Sequence, residues 1–288
     1  MNEIIAGVDG SPCSLRAIEW AAEAAAARGT ALRIVHAMPS WLFEPTVESR
    51  VEQVRDWMVA TGHEVTDEAV AVAEARAPGL DVSAELAPGG PPRALIGAAK
   101  DAVMLVVGSH GAGTLTGLLL GSVALQVAMH AICPAVVVRP PPVSARREVV
   151  VGIDGSHHDQ AVMEFGFTEA SLRSARLRAV HAWTHLGAAP DAVRPPVVDR
   201  AAAEAECQRM LAESLGGWQE RFPEVEIVRE VRHDRPTAAL TAASAGAELL
   251  VVGTRGRGGF AGLLLGSVGH AMLHRAQCPV AIVPAPGR

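Results

Sequence analysis

The chain has 288 residues, of which 49% are hydrophobic and 19% are charged, and its formal net charge at pH 7 is −6. This length suits about two domains, and the composition is typical of folded globular proteins rather than of disordered ones. A negative net charge without any run of Lys or Arg argues against a nucleic-acid partner or an anionic membrane surface, because both require clustered positive charge.

The cysteine pattern and the first residues of the chain exclude further classes of protein. Four scattered cysteines are too few for a disulfide framework, and no His/Cys cluster has the spacing of a zinc site, so we expect no metal site. Cys133 and Cys278 each precede a proline and an apolar run, which indicates buried thiols. Met1-Asn2-Glu3-Ile4 lacks the basic and then apolar pattern of a secretion signal, so we expect a cytoplasmic protein.

Short apolar runs alternate with helix-forming stretches along the first half of the chain. Ser11-Pro12 supplies a helix N-cap followed by proline at the first helical position, and Arg28-Gly29 is a typical helix end. The runs lack period-2 alternation, which favours a parallel sheet with helices on both faces and therefore an α/β fold with five strands per repeat. We predict strands at residues 3–9, 32–37, 82–86, 103–107 and 135–138, and helices at about 11–29, 48–77, from 91 onward and at 122–131.

One segment raises the alternative of a membrane span, because residues 102–138 contain no Asp, Glu, Lys or Arg. The corresponding stretch in the second half carries Arg255, Arg257 and Arg275, and several glycines and Cys133-Pro134 interrupt the first. We therefore predict that the chain has no transmembrane helix.

Motifs of the first half recur 145 residues later, from one end of the chain to the other. A period this long indicates two tandem copies of a domain that can bury its own core. The proline-rich stretch from Arg139 to Ser144 reads as a linker, so we predict domains at residues 1–143 and 144–288. The matching pairs are Gly7-Val8-Asp9-Gly10-Ser11 with Gly152-Ile153-Asp154-Gly155-Ser156, His36-Ala37 with His181-Ala182, and Cys133-Pro134 with Cys278-Pro279.

The second repeated motif is a glycine loop that follows an apolar strand and precedes a helix. Its glycines let the backbone approach a ligand, and the first turn of the next helix offers free N–H donors and the positive end of the helix dipole. We therefore predict that each loop binds the phosphates of a nucleotide; the alternative is that the glycines only connect strand to helix. The loops are Gly108-Ser109-His110-Gly111-Ala112-Gly113 leading to Gly121-Ser122-Val123, and Gly253-Thr254-Arg255-Gly256-Arg257-Gly258 leading to Gly266-Ser267-Val268.

The loops differ from two better-known phosphate motifs. No Gly-x4-Gly-Lys-[Ser/Thr] sequence occurs, which excludes the lysine-containing P-loop. Residues 256–261 imitate the dinucleotide fingerprint, but the first copy has Thr116 at the last small position and its helix begins several residues later.

Taken together, G-x2-G-x9-G-[ST] after a Val-Val-Gly strand, the Asp-Gly-Ser turn and the final Cys-Pro strand resemble the ATP-binding branch of the universal stress proteins. The resemblance covers nearly the whole chain as a tandem pair. It implies two Rossmann-like domains, similar to the nucleotide-binding α-hydrolase group, each with a five-stranded parallel sheet in the order 3-2-1-4-5 and helices on both faces. It implies one ATP per repeat, alone or with Mg²⁺.

The resemblance also implies roles for individual residues. Asp9 and Asp154 would lie beside the ribose and phosphates, and the main chain of Ala37 and Ala182 would meet the adenine edge. The remaining candidates are Gly7, Gly10 and Ser11 with Gly152, Gly155 and Ser156 at the strand ends, the two glycine loops around the phosphates, and Ser122-Val123 and Ser267-Val268 as donors to them.

Three alternatives concern individual residues. Each aspartate could instead cap the turn that follows it. Arg255 and Arg257 replace His110 and Ala112, which would place more positive charge near the second set of phosphates unless the arginines are merely solvated. His36 and His181 are most simply interpreted as core histidines of an apolar strand.

For function, the sequence favours a nucleotide-liganded regulator of stress response or growth arrest, with an unknown protein partner, over an enzyme. No nucleophile and base recur at a fixed spacing, and neither glycine loop contains lysine, so any ATP hydrolysis would be slow and incidental. The alternatives are an interaction module that has lost its ligand and an ATP-dependent small-molecule transferase.

The final strand of each repeat is expected at a sheet edge, where its N–H and C=O groups need partners. We predict that residues 135–138 pair antiparallel with residues 280–283, as a pseudo-dimer within the chain. A homodimer would then use other surfaces.

Overall fold

The fold is described from a computed structural model of the chain. It describes residues 3–44, 49–111, 120–140, 146–184, 199–254, 256 and 264–285. These residues form two compact units, one consisting mainly of Met1–Pro140 with Pro279–Pro284, and the other of Pro141–Cys278 with Ala285–Gly287.

The first unit alternates strands and helices in the order that the sequence predicts. Ser11 accepts a hydrogen bond from the Ser14 amide at 3.1 Å as the N-cap of the first helix. Gly29 ends that helix with φ 61°, a left-handed conformation that glycine adopts without the steric cost of a Cβ. The elements are β1 Glu3–Gly7, α1 Pro12–Arg28, β2 Ala31–Met38, a 3₁₀ turn at Ser40–Phe43, α2 Ser49–Arg76, β3 Val82–Pro88, α3 Pro91–Ala98, β4 Met104–Gly108, α4 Ser122–His130 and β5 Ala135–Val138.

The strands of this unit run β3-β2-β1-β4-β5, and the neighbours in this series are parallel. This is the order 3-2-1-4-5 implied by the family resemblance. The chain builds outward from β1 through β2 and β3 and then crosses to β4 on the other side of β1. A crevice at the carboxyl ends of β1 and β4 is therefore the expected place for a ligand.

The edge of this sheet at β5 is covered by β10, Val280–Val283, which belongs to the same compact unit. The pairing is antiparallel, with Val280 opposite Val137 and Ile282 opposite Ala135. The predicted pairing of residues 135–138 with 280–283 is confirmed. The compact division thus differs from the predicted domain 144–288 in that the final strand groups with the first unit, because it satisfies the open edge of β5.

The second unit repeats the same pattern, with strands in the order β9-β6-β7-β8 and parallel pairs on both sides of β6. Its helical layer differs from that of the first unit, because α6 and the short α7 stand where the single long helix α2 lies in the first. Its elements are β6 Glu148–Ile153, α5 Asp159–Leu172, β7 Arg176–Trp183, α6 Arg200–Ser214, α7 Trp218–Arg221, β8 Ile227–His233, α8 Pro236–Ser244, β9 Leu249–Gly253 and α9 Ser267–Arg275.

The cysteines that precede prolines and the hydropathy of the helices were both predicted from the sequence. Cys133 and Cys278 are buried free thiols, as predicted, and burial raises the pKa of Cys133 to about 11. Within the ranges described above, none of the helices has the length and hydropathy needed to cross a membrane.

Helix α5 packs closely on β6 because Gly166 has no side chain. A Cβ at this position would overlap Cγ1 of Val151, which is fully buried.

Gly166→Ala should therefore destabilise the protein by about 1–3 kcal/mol through overpacking. Gly97→Ala is the matched control, because Gly97 is exposed in α3 with no atom near its missing Cβ. It should stabilise by about 0.5–1 kcal/mol through helix propensity. Urea unfolding measures both, and a Gly166→Ala protein as stable as the parent would contradict this packing.

Candidate functional site

Each unit has a cavity at the carboxyl ends of its central strands, with a volume of about 280 Å³ in the first and about 630 Å³ in the second. Small-molecule sites commonly span about 300–1,000 Å³, so both cavities are of a size suited to a ligand. The first is lined by Gly7, Val8, Asp9, Ser14, Val35, His36, Ala37, Pro91, Leu95, Val107, Gly108, His110, Gly111, Gly121, Ser122, Val123 and Ala124.

The second cavity is built from the same positions of the repeat. Every residue that lines the first cavity, apart from His110, has its counterpart 145 residues later in the lining of the second. The counterpart of His110 is Arg255, which lies outside the described residues. The second lining also includes His158, Val162, Trp183, Thr184 and Cys207. The duplication in sequence is therefore a duplication of a cavity, which a merely connecting glycine loop would not require.

The strand-end aspartates both cap a turn and face the glycine loop. Oδ1 of Asp9 accepts a hydrogen bond from the Ser11 amide at 3.0 Å, and Asp154 does the same with the Ser156 amide at 3.0 Å. Gly10 and its counterpart Gly155 turn the chain with φ 76° and 79°. Oδ2 of each aspartate occupies the space that a Cβ at Gly111 or Gly256 would need. Oδ1 of each aspartate therefore caps the turn, as the structural alternative predicts, while Oδ2 lies beside the glycine loop, where a site residue is expected.

The helices that follow the glycine loops begin without a side-chain cap. Gly121 and Gly266 are the N-cap residues of α4 and α9, and neither can offer the side-chain oxygen that usually accepts the first-turn N–H groups. The amides of these two glycines donate to the carbonyls of Ser109 and Thr254 at 2.8 and 2.7 Å, which folds each loop back onto the helix start. The first turn then faces the cavity with its N–H groups and the positive end of the helix dipole, an arrangement that favours an anion.

The histidines on β2 and β7 line the cavities. His181 is buried, as predicted for a core histidine, whereas His36 is only half-buried. Nδ1 of His36 lies 2.9 Å from the carbonyl oxygen of Val8, and Nδ1 of His181 lies 2.8 Å from that of Ile153. A carbonyl oxygen only accepts hydrogen bonds, so Nδ1 must carry the proton in both rings. Each histidine thereby holds the carbonyl that precedes the strand-end aspartate, and this contact fixes where the aspartate leaves the sheet.

The other predicted residues fall into three groups. Gly7, Ala37, Gly108, His110 and Val123 line the first cavity, and Gly152, Ala182, Gly253 and Val268 line the second. Six predicted residues belong to neither lining and instead serve turns, caps and loop contacts: Gly10, Ser11, Ser109, Gly155, Ser156 and Thr254. The side chain of Thr254 also accepts a hydrogen bond from the Ala285 amide at 3.3 Å. Outside the described residues are Ala112, Gly113, Arg255, Arg257 and Gly258.

Helices α3 and α8 form further walls of the cavities, which the sequence motifs do not indicate. Leu95 lies so close to β1 that a Cβ at Gly7 would be 2.8 Å from its Cδ1, and Leu240 stands 3.0 Å from the same point at Gly152. Pro91 and Pro236, at the starts of these helices, complete the wall. The shared offset of 145 residues was the available signal for these walls. The closeness of the two leucines explains why glycine stands at Gly7 and at Gly152.

Asp159 also lines the second cavity without belonging to a repeated motif, and it makes the two cavities chemically different. The first repeat has Ser14 at this position, whose Oγ accepts a hydrogen bond from the Asp9 amide at 3.3 Å. Asp159 accepts from the amides of Asp154 at 3.4 Å and Gly155 at 2.7 Å. Burial, and then the nearby charge of Asp154, raise the pKa of Asp159 to about 7 against the opposing effect of the amide donors. In the part of the chain described, no three His, Cys, Asp or Glu side chains cluster as metal ligands.

Comparison with known proteins decides the family. A family model for the universal stress protein family matches residues 1–139 and again residues 145–284. The chain belongs to the universal stress protein family. It carries two tandem copies of the family's domain.

Relatives and solved structures agree with this assignment. Universal stress protein Rv2623 of Mycobacterium tuberculosis is 38% identical over 290 residues, which cover 97% of this chain and 95% of that protein. Rv1996 of the same organism is 38% identical over 302 residues, covering 98% of this chain and 95% of its own. The crystal structure of a universal stress protein from Archaeoglobus fulgidus superposes with a TM-score of 0.70 at 19% identity and covers 98% of each chain, which supports the fold.

The raised pKa of Asp159 predicts how the stability of this universal stress protein depends on pH. A carboxyl group with a higher pKa folded than unfolded binds more protons in the folded state, so the stability it contributes is complete below its unfolded pKa of about 3.9 and is lost as the pH rises to about 7. Asp159→Ser, which installs the residue of the first repeat, should remove that loss. The mutant should gain on the order of 3 kcal/mol relative to the parent between pH 4 and pH 7.5. Urea unfolding across this range measures the difference, and parallel curves would show that the pKa is not raised.

Proposed function

We propose that each repeat binds one adenine nucleotide of the ATP class, alone or with Mg²⁺, and that the chain acts as a nucleotide-liganded regulator in stress response or growth arrest. The family membership supports the regulatory role, and the paired cavities support the choice of ligand. The observation that carries the proposal is the recurrence of one cavity lining in both units, position by position.

The chemistry of the lining suits the two ends of a nucleotide. Toward α4 and α9, main-chain N–H groups at uncapped helix starts provide the donors that phosphates require. Toward β2 and β7, Ala37 and Ala182 follow the histidines and expose backbone at the cavity wall, where an adenine edge can exchange hydrogen bonds with main-chain groups. Between these regions lie Asp9 and Asp154, whose carboxylates are acceptors for ribose hydroxyls.

Binding without rapid turnover is the second part of the proposal. Lys100 is the chain's single lysine, and it lies just before the start of β4, at the opposite end of that strand from Gly108. It therefore cannot serve as the lysine that contacts the β- and γ-phosphates in P-loop enzymes. The strand-end aspartates already hold turn amides and the glycine loops, which suits them to positioning a ligand.

Two glycine variants test the sites one at a time. In Gly111→Ala, the added Cβ overlaps Oδ2 of Asp9, so the carboxylate or the loop must move. ATP affinity at the first site should fall at least about tenfold, which corresponds to about 1.4 kcal/mol, while the second site stays intact. Gly256→Ala should do the reverse, because its Cβ overlaps Oδ2 of Asp154.

Titration calorimetry of nucleotide-stripped protein with ATP measures the number of sites and their affinities. Gly97→Ala is the control, because it adds the same methyl group at an exposed position that lines neither cavity. Two sites in the control and one strong site in each loop variant are the expected results. No binding to the parent protein at millimolar ATP would reject the proposed ligand.

Turnover is the measurement that separates a regulator from an enzyme. With saturating ATP and Mg²⁺, we expect phosphate release far slower than the roughly 1–100 s⁻¹ typical of kinases. A rate within that range, abolished by the double variant Asp9→Asn and Asp154→Asn, would make the protein an enzyme and overturn this part of the proposal.

A further inference from the structure

Among the described residues, the two cavities differ at a position where the second repeat has a carboxyl group and the first has none. Ser14 of the first repeat and Asp159 of the second occupy the same place, on the first turn of the helix that follows the central strand. Ser14 is buried and neutral, and its Oγ donates to the Ser11 carbonyl at 2.9 Å. Asp159 is only 6% exposed, and it brings a second carboxyl group beside Asp154 in a cavity whose helix start favours an anion.

We propose that Asp159 makes ligand binding at the second cavity proton-linked, so that this site takes up a proton when it binds phosphate groups and the first site does not. The inference rests on the proposed nucleotide function, because it concerns how the second cavity accepts the same ligand. It assigns Asp159 as a residue that makes the two sites respond differently to pH.

Electrostatics supports the proposal. Asp154 and Asp159 line the same cavity, and Asp159 accepts hydrogen bonds from the Asp154 and Gly155 amides, so the two carboxyl groups lie close together and like charge disfavours ionisation of both. A phosphate entering the same buried space adds negative charge and disfavours ionisation of the pair further. Protonation of the pair relieves the repulsion, and the protonated oxygen becomes a donor. In the first cavity the Asp9 carboxylate has no acidic neighbour at this position.

Other titratable groups surround Asp159, and they must be separated from it. His157 and His158 lie on the same turn, and His181 lines the cavity from β7. Cys207 lines it from α6, while the lining residues of β9 are Val252 and Gly253, which do not titrate. The histidines could take up protons on binding as well, so the test replaces Asp159 alone and keeps these groups in place.

The consequence is a second site whose affinity depends on pH near neutrality. Affinity should fall as the pH rises, because the proton must then be supplied against a lower proton activity, with a limit of tenfold per pH unit for one linked proton. The first site has no such contribution from Ser14. The chain would therefore combine one site that responds to nucleotide alone with one that responds to nucleotide and pH together.

The test is calorimetric titration with ATP in buffers of different ionisation enthalpy, which gives the number of protons taken up per ligand bound. The Gly111→Ala background isolates the second site and Gly256→Ala isolates the first. Asp159→Ser in the former should lower proton uptake at pH 7.5 by about 0.3–0.6 protons per ATP. Ser14→Asp in the latter should raise it. Proton exchange by ATP itself cancels, because the ligand is the same in every comparison.

Affinity across pH gives a second readout. Between pH 6.5 and pH 8.5, the second site should weaken about fivefold or more relative to its Asp159→Ser variant. Asp159→Asn, which keeps the shape of the side chain, should behave like Asp159→Ser and guards against a folding defect in either one. Equal proton uptake and equal pH dependence with and without Asp159, at a site that still binds ATP, would overturn the inference. No ATP binding by the parent protein at any pH would instead reject the proposed function itself.

Discussion

The contact between a strand-end aspartate and a glycine loop sets the geometry of both cavities. The carboxylate of Asp9 ties the turn after β1 with one oxygen and fills the space beside Gly111 with the other. The loop can then fold back so that α4 starts at the cavity with its first-turn amides uncapped. The histidine bond to the Val8 carbonyl holds the strand end in place, and the Asp154 site repeats each of these contacts.

Duplication has kept the lining positions of this site, while the volume of the cavity and one of its side-chain charges differ between the repeats. The second cavity has the same lining with a carboxyl group at Asp159 in place of the Ser14 hydroxyl, and it adds Trp183 and Cys207 to the wall. If the cavity binds an anion, a neutral residue such as the Ser14 of the first repeat would cost less free energy at this buried position than an acidic one. Our proposal accounts for its presence beside Asp154 as a coupling of ligand binding to a proton.

Much of the fold could be predicted from the sequence, because apolar strands, Ser-Pro caps and the 145-residue period are local or repeated signals. The helix from Pro12 to Arg28 and the strand Ala135–Val138 follow from such signals. The roles of His36 and Leu95 could not be predicted from motifs, since each acts through a neighbour far along the chain. Asp159 was overlooked for a different reason: aligning the repeats emphasises what they share, and this residue is a difference between them.

The central claim is that the uncapped helix starts after the glycine loops receive the ligand's phosphates. Amide NMR of the deuterated, nucleotide-stripped protein during titration with a non-hydrolysable ATP analogue tests it directly. The account predicts that the N–H resonances of Ser122, Val123, Ser267 and Val268 shift the most, in the direction expected for new hydrogen bonds to an anion. Saturable binding that leaves these four resonances unchanged would contradict it.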